Sequence, residues 1–447
     1  MIKGDDTMCK LKAGFARVDI TPPLGTTLSG YFQIRYADGV LDPLYATAVT
    51  FDDGNKKAII FSLDIIGFNQ KLMNRVRSSI SDRTGVEKEA VFVACTHTHL
   101  GPCTANSKDV WENPEYIDFL VQRLGDAAIL SINDLAPAKL SYTHGRVEDV
   151  AFIRRYRMKD GSVRTNPGYR NPDILEPIGT PDEESSLLII KRDNKPEIGI
   201  VNFQVHPDVI GGCKISADYP KFVRDTYEKF IDNSLCMYIN GAQGDTNHID
   251  VRRASTDMAR GYERAKYMGK KIALSVIANY ELAKELNGTT ISYGQNNFFA
   301  IHNKGTKEEE KIAAFFNDIY QKEGKAACEE KAREMGVIQP FFTPKVTRIA
   351  ALIGKPEEKE LYLTAVAVGD VVFAGFPGEP FTEIGRSVKA GSKFELTITA
   401  CCANGYEGYY PMKSAYDEGG YEATTAMYKA GTAEKMIEES LKLVNSL

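Results

Sequence analysis

The chain has 447 residues, 43% of them hydrophobic and 26% charged, a balance ordinary for a protein with a sizeable buried core. A formal charge of −5, with no basic run carrying interleaved aromatics, argues against nucleic acid as the main partner. No apolar stretch is long enough to span a bilayer, so no membrane anchor is expected.

The N-terminal stretch MIKGDDTMCKLKAGF lacks the apolar core of an export signal, which predicts a cytoplasmic protein. Strand-like runs follow in order: FARVDIT, YATAVTF, KAIIFSLDI, AVFVACT, SLLIIKR, IGIVNFQV, LCMYIN, TAVAVGDVVFAGF and FELTITACC. Between them, amphipathic helices are predicted near 69–84, 114–133, 219–232, 257–285 and 432–446. This mixture predicts an α/β fold with mixed sheets layered with helices, because DG and GD turns join some neighbouring strands as hairpins. The Arg-, Pro-, Gly- and Asn-rich segment 155–182 reads as a long irregular loop of the kind compact domains keep for function. The charged segment 303–335 reads as a helical insertion on a single domain spanning 1–447. The eight cysteines form no C-x-x-C pair and fit reduced, mostly structural thiols. A homo-oligomer is compatible with this composition.

Four strands end in polar turns that carry His, Asp or Glu. AVFVACT runs into His97-Thr98-His99, where strand alternation would send both imidazoles to one side. VNFQV runs into His206, LCMYIN into the turn holding Gln243, Asp245 and His248, and DVVFAGF into Glu379. Ligands gather at strand ends of open α/β sheets, and catalytic metal sites draw ligands from separated segments. Each residue taken singly also fits a side chain satisfied by backbone groups, and Asp218 and Asp245 also fit helix caps or Asx-turns.

The motifs AGFARVDITPPLGTTLSGY, VACTHTHLGP, VNFQVHP, ISADYP, INGAQGDTN, FPGEPFTEIG and NGYEGYYP…YEATT occur in sequence from about residue 13 to about residue 425. Together they resemble the successive motifs of the neutral/alkaline ceramidase family. The resemblance implies a catalytic domain holding one Zn²⁺, with His97, His206, Glu379 and Tyr409 as its ligands. It implies that Tyr421, twelve positions after Tyr409, contacts the substrate amide. Arg154 is the nearest match to a substrate-touching arginine, although Ile153 stands where the family has asparagine. His99 would pass protons or contact substrate, Asp245 would orient ligands, and Gln243 would line the substrate side.

Three departures alter the expectation. The family's catalytically important serine is missing from the Gly241-Ala242-Gln243-Gly244-Asp245 turn. The sequence carries neither the family's immunoglobulin-like C-terminal domain nor a recognisable export signal, so neither is expected of the protein. The reading is therefore a zinc-dependent hydrolase using metal-activated water on an amide, ester or lactone of a small polar molecule, a sugar-acid lactone being one version. Tyr421 would then help stabilise the oxyanion. A genuine ceramidase cleaving N-acyl-sphingosine, and a non-catalytic carbohydrate- or lipid-binding relative, stand as alternatives.

Overall fold

A computed structural model describes residues 11–31, 34–105, 112–256, 259–336 and 344–447. The larger sheet has nine strands: β1 (Lys12–Asp19), β2 (Tyr45–Asp52), β3 (Lys57–Leu63), β4 (Val91–Cys95), β5 (Ala136–Arg146), β6 (Glu184–Arg192), β7 (Glu197–Phe203), β8 (Ser234–Asn240) and β9 (Lys284–Leu286). Their spatial order is β8-β7-β6-β5-β1-β2-β3-β4, with β9 paired to β5. β3 and β4 run parallel, as do β7 and β8, while the other pairs are antiparallel. A second sheet joins β10 (Ile291–Ile301), β11 (Glu358–Val368), β12 (Val371–Gly375) and β13 (Leu396–Ala400) in chain order. Both expected hairpins are present as β2–β3 and β11–β12, and Gly54 and Gly369 take the positive φ their turns need.

Helices cover these sheets: α1 (Gln70–Thr84), α2 (Pro114–Asn133), α3 (Tyr219–Phe230), α4 (Tyr262–Ile277), α5 (Lys307–Glu334), α6 (Pro344–Leu352), α7 (Thr382–Gly391), α8 (Lys413–Glu418), α9 (Tyr421–Thr425) and α10 (Thr432–Ser446). α1 begins where the Asn69 side chain accepts from the Leu72 amide and stops at left-handed Gly85. α4 is shorter than the 257–285 expected from periodicity. It starts after Gly261 at φ 89°, and the chain from Lys284 is drawn off to pair with β5. The segment 155–182 is also not the irregular loop expected. Arg155–Met158 pairs with both Val163–Thr165 and Ile174–Pro177 in a small antiparallel sheet, whose strands are too short to show periodicity in sequence. The charged insertion forms α5 between β10 and β11, interrupted at Gly324 (φ 85°, ψ −176°).

The larger sheet curls until its two edges approach. Ser62 of β3 donates its hydroxyl to the Tyr238 carbonyl of β8, and Asn240 Nδ2 donates to the Thr96 carbonyl at 3.1 Å. The chain leaving β13 fills the remaining gap. Cys401 N donates to the Asn240 carbonyl at 2.9 Å, and Asn404 N donates to the Val93 carbonyl at 2.8 Å. This wedge couples the two sheets, so the C-terminal ends of β4, β7, β8 and β12 share one rim.

Candidate metal centre

His97 lies two residues beyond β4, with its backbone at φ 72°. The two imidazoles of His97-Thr98-His99 do converge, with ring centroids 5.1 Å apart, but a left-handed turn brings them together rather than strand alternation. The His97 backbone amide is tied to the Ile65 carbonyl at 3.0 Å, and Nδ1 lies 2.6 Å from the Ile66 carbonyl and 3.3 Å from Cys402 Sγ. His206 follows β7, and its Nδ1 lies 3.3 Å from the Gln243 carbonyl. A carbonyl oxygen only accepts, so each Nδ1 carries the proton in these bonds and each Nε2 presents a lone pair.

Those two lone pairs face the same oxygen. Glu379 Oε2 lies 3.4 Å from His97 Nε2 and 3.1 Å from His206 Nε2, with all three side chains about 2% exposed. Tyr406 donates its hydroxyl to Glu379 Oε1 at 2.6 Å and so fixes the carboxylate plane. His99 completes the group: both its ring nitrogens are buried without a hydrogen-bond partner. Ligand atoms of His97, His99 and His206 all lie within 4.8 Å of one another. Lone pairs turned toward a carboxylate repel unless a cation stands among them, and two orphaned buried nitrogens are costly. The donor set therefore fits a borderline divalent ion such as Zn²⁺. Burial pushes the His99 imidazole well below its ordinary pKa and also lowers His206, which keeps both rings neutral and able to act as ligands.

A cavity of about 370 Å³ opens onto this group, lined by His97, His99, Glu379, Tyr406, Tyr409 and Tyr421 on one side and by the 29–31, 66–69 and 104–105 turns on the other. Gly30, at φ 105°, packs on His99 so closely that a Cβ there would lie 2.6 Å from the imidazole Cγ. Tyr31 donates to Asp208, whose carboxylate lies 3.8 Å from His99 Nδ1. Tyr409 is brought beside Glu379 by parallel pairing of Glu379–Pro380 with Tyr409–Tyr410, and its ring lies 5.7 Å from that of Tyr421. Burial pushes the Tyr409 hydroxyl well up while Arg154 pulls it the other way, so the phenol ionises only beside added positive charge.

Three residues singled out from the sequence stand behind the cavity wall. Arg154 donates from Nε to Glu422 at 2.6 Å and from Nη2 to the Gly244 carbonyl at 2.8 Å, with its guanidinium 5.3 Å from the Tyr409 ring centroid. Gln243 is fully buried and offers its backbone carbonyl to His206. Asp245 accepts from the backbone amide and hydroxyl of Thr382, at 2.8 and 2.7 Å, where α7 begins three residues after Glu379. Asp218 likewise accepts from the Val209 and Ile210 amides, holding the segment that follows His206. Tyr406, Tyr31 and Asp208 escaped the sequence reading. Tyr31 and Tyr406 carried a signal, as the last residue of the AGFARVDITPPLGTTLSGY motif and the first tyrosine of the NGYEGYY run.

The geometry makes Asp245 a support for the Glu379 segment. Asp245→Ala is expected to lower stability by about 1–3 kcal/mol and metal affinity roughly 10–100-fold. Asp245→Asn, which keeps an acceptor for Thr382, should recover most of both in denaturation and metal-competition titrations. If Asp245 instead acts directly on substrate, the asparagine variant will be as inactive as the alanine one.

A buried imidazole next to the site makes the fold acid-sensitive. Burial moves the His248 pKa down to about 3, and neither ring nitrogen has a partner. The folded state therefore excludes a proton that the unfolded chain binds below about pH 6.5, so this contribution to stability is lost as pH falls. By pH 5 it amounts to about 2 kcal/mol. Denaturation midpoints from pH 7 to pH 5 should fall less steeply for His248→Gln than for the parent. Equal slopes would show that His248 does not contribute.

No family model matches the chain. Two solved structures share its fold over nearly all its length. The neutral ceramidase from Pseudomonas aeruginosa aligns at a TM-score of 0.72 and 16% identity, covering 98% of this chain and 74% of that one. A ceramidase complexed with C2 aligns at a TM-score of 0.70 and 16% identity, covering 98% and 75%. The mixed α/β architecture built here from local sequence is thus that of the neutral ceramidase fold.

Proposed function

We propose that the chain is a metal-dependent hydrolase, folded as one neutral-ceramidase-like domain over 1–447 with a helical insertion at 303–335, that cleaves an amide, ester or lactone of a small polar substrate. One observation carries this reading: two imidazole lone pairs and the orphaned His99 converge with Glu379 Oε2 at the foot of a cavity. A Zn²⁺ ion bound there supplies Lewis acidity toward a carbonyl oxygen and lowers the pKa of a water to about 7. His97, His206 and Glu379 would hold it, with Tyr409 or His99 completing the set. The carbonyls of Ile66 and Gln243 keep the two histidine tautomers in the ligating form. Where His99 is not a ligand, its neutral ring can take a proton and return it to the leaving group. Tyr421 lines the cavity and offers a hydroxyl to the oxyanion that develops on the carbonyl.

A cavity of about 370 Å³ lies at the small end of the roughly 300–1,000 Å³ usual for ligand sites, and Tyr31, Asn69, Thr104 and Tyr421 set polar groups into walls that are otherwise more apolar. The small volume favours a compact substrate, and the polar groups in it suit a hydroxyl-bearing one such as a sugar-acid lactone. The fold likeness to ceramidases keeps N-acyl-sphingosine as the second reading. Seven cysteines are unpaired among the described residues, which suits a reducing, cytoplasmic setting. Elemental analysis followed by hydrolysis of a panel of amides, esters, lactones and a fluorescent ceramide tests the proposal. Stoichiometric metal with turnover of a lactone or small ester supports it. Preference for the ceramide selects the second reading, and full activity of the metal-free protein refutes both.

A further inference from the structure

Tyr421 reaches the cavity from α9, a helix of only five residues. So short a helix does not hold its shape alone. Gly419 and Gly420 precede it at φ 83° and 96°, so the N-cap position offers no side chain of its own, and the Tyr421 amide donates instead to the Thr165 hydroxyl at 3.3 Å. Its position is therefore imposed from outside. On the inner face Glu422 accepts from Arg154 and from the Thr165 hydroxyl at 2.8 Å. On the outer face α6, from the excursion between β10 and β11, lies against it. There Arg348, only 6% exposed, donates from Nη1 to the Thr424 carbonyl at 2.8 Å. A cation on a carbonyl at a helix C-terminus is a favourable contact that also fixes the helix axis. Ile349 and Leu352, on the same helix as Arg348, are buried, so the guanidinium is delivered by a packed element. The root of the excursion grips the chain beyond α9 as well: Asn303 N donates to the Met427 carbonyl and Lys429 N to the Ile301 carbonyl, both at 2.8 Å. Among the described residues, none that lines the cavity belongs to α5 or α6.

We propose that Arg348 is a positioning residue: through the Thr424 carbonyl, the α5–α6 excursion sets where Tyr421 stands over the cavity and so which substrates fit. The kinetic part rests on the hydrolase reading; the structural part does not. Hydrogen exchange on the full-length protein is the first test. Arg348→Ala should speed exchange of the 419–426 amides about tenfold, the loss of one charge-assisted hydrogen bond, while amides at 93–97 and 206–210 stay unchanged. Arg348→Lys, which keeps one charged donor, should fall between. With p-nitrophenyl acetate as probe, Arg348→Ala should lower kcat/KM several-fold, with part of the loss in kcat as expected for a displaced oxyanion donor, while metal content stays near that of the parent; it should add nothing further in a Tyr421→Phe background. Unchanged exchange at 419–426, or a uniform rise across the chain, overturns the proposal. A kinetic effect that persists undiminished beside Tyr421→Phe overturns it too. If no ester, amide or lactone is hydrolysed, the hydrolase reading fails while the exchange pattern still decides the role of Arg348.

Discussion

His97→Ala is expected to abolish metal uptake and hydrolysis together. The parent should purify with, or take up, about one divalent ion per chain, and the variant less than roughly a tenth of that under the same dialysis. Activity on the best substrate should drop by at least about 10³-fold, because the ion's Lewis acidity is lost with it. The reason is local. His97 Nε2 is one of two lone pairs turned on Glu379 Oε2, and its Nδ1 is pinned by the Ile66 carbonyl, so the substitution removes a ligand already aimed at the ion's position. Chelation of the parent should reproduce the loss and added Zn²⁺ should reverse it, whereas the variant should not respond. His99→Ala divides the two roles open to His99: loss of the ion marks it as a ligand, while loss of turnover with the ion retained marks it as a proton carrier. A chelated parent that keeps full activity would remove metal chemistry from the account.

The strand ends that build this centre were legible because each is an apolar run broken by turn-forming residues. Burial on both faces writes VFVAC as an unbroken hydrophobic stretch and IGIVNF as one interrupted only by Gly199 and Asn202. What the sequence did not carry was how the four ends meet. That depends on Cys401–Asn404 wedging between β4 and β8, a contact linking residues some 300 apart in the chain, which no local pattern encodes. The convergence of His97 and His99 was expected for the wrong reason, since a positive φ at a non-glycine residue leaves no mark in composition. The motif register picked out Tyr409 and Tyr421 among 22 tyrosines, yet left Tyr406, the hydroxyl that holds Glu379, unnoticed. Arg154 was legible as a residue near the site but not in its task, because burial of its partner Glu422 is a tertiary fact.

That task is open to a measurement with a large expected effect. Arg154→Leu should destabilise the protein by about 3 kcal/mol, since it removes the close partner of the fully buried Glu422 carboxylate and leaves it the Thr165 hydroxyl and, 3.9 Å from Oε2, the Nε of Arg155. Arg154→Lys should recover little of this. One ammonium cannot serve both Glu422 and the Gly244 carbonyl in the planar geometry that the guanidinium fork now provides. Adding Glu422→Leu to Arg154→Leu should return part of the stability, because the cost lies in the unpaired charge rather than in the lost pair. Metal affinity should fall in the single variant as well, since the guanidinium over the Tyr409 ring and the bond to Gly244 both steady the wall behind Glu379. A substrate-contact role predicts a different result, with KM raised and the denaturation midpoint unmoved. With Nε and Nη2 already committed inside the protein, the structural outcome should come first and the catalytic one should follow from it.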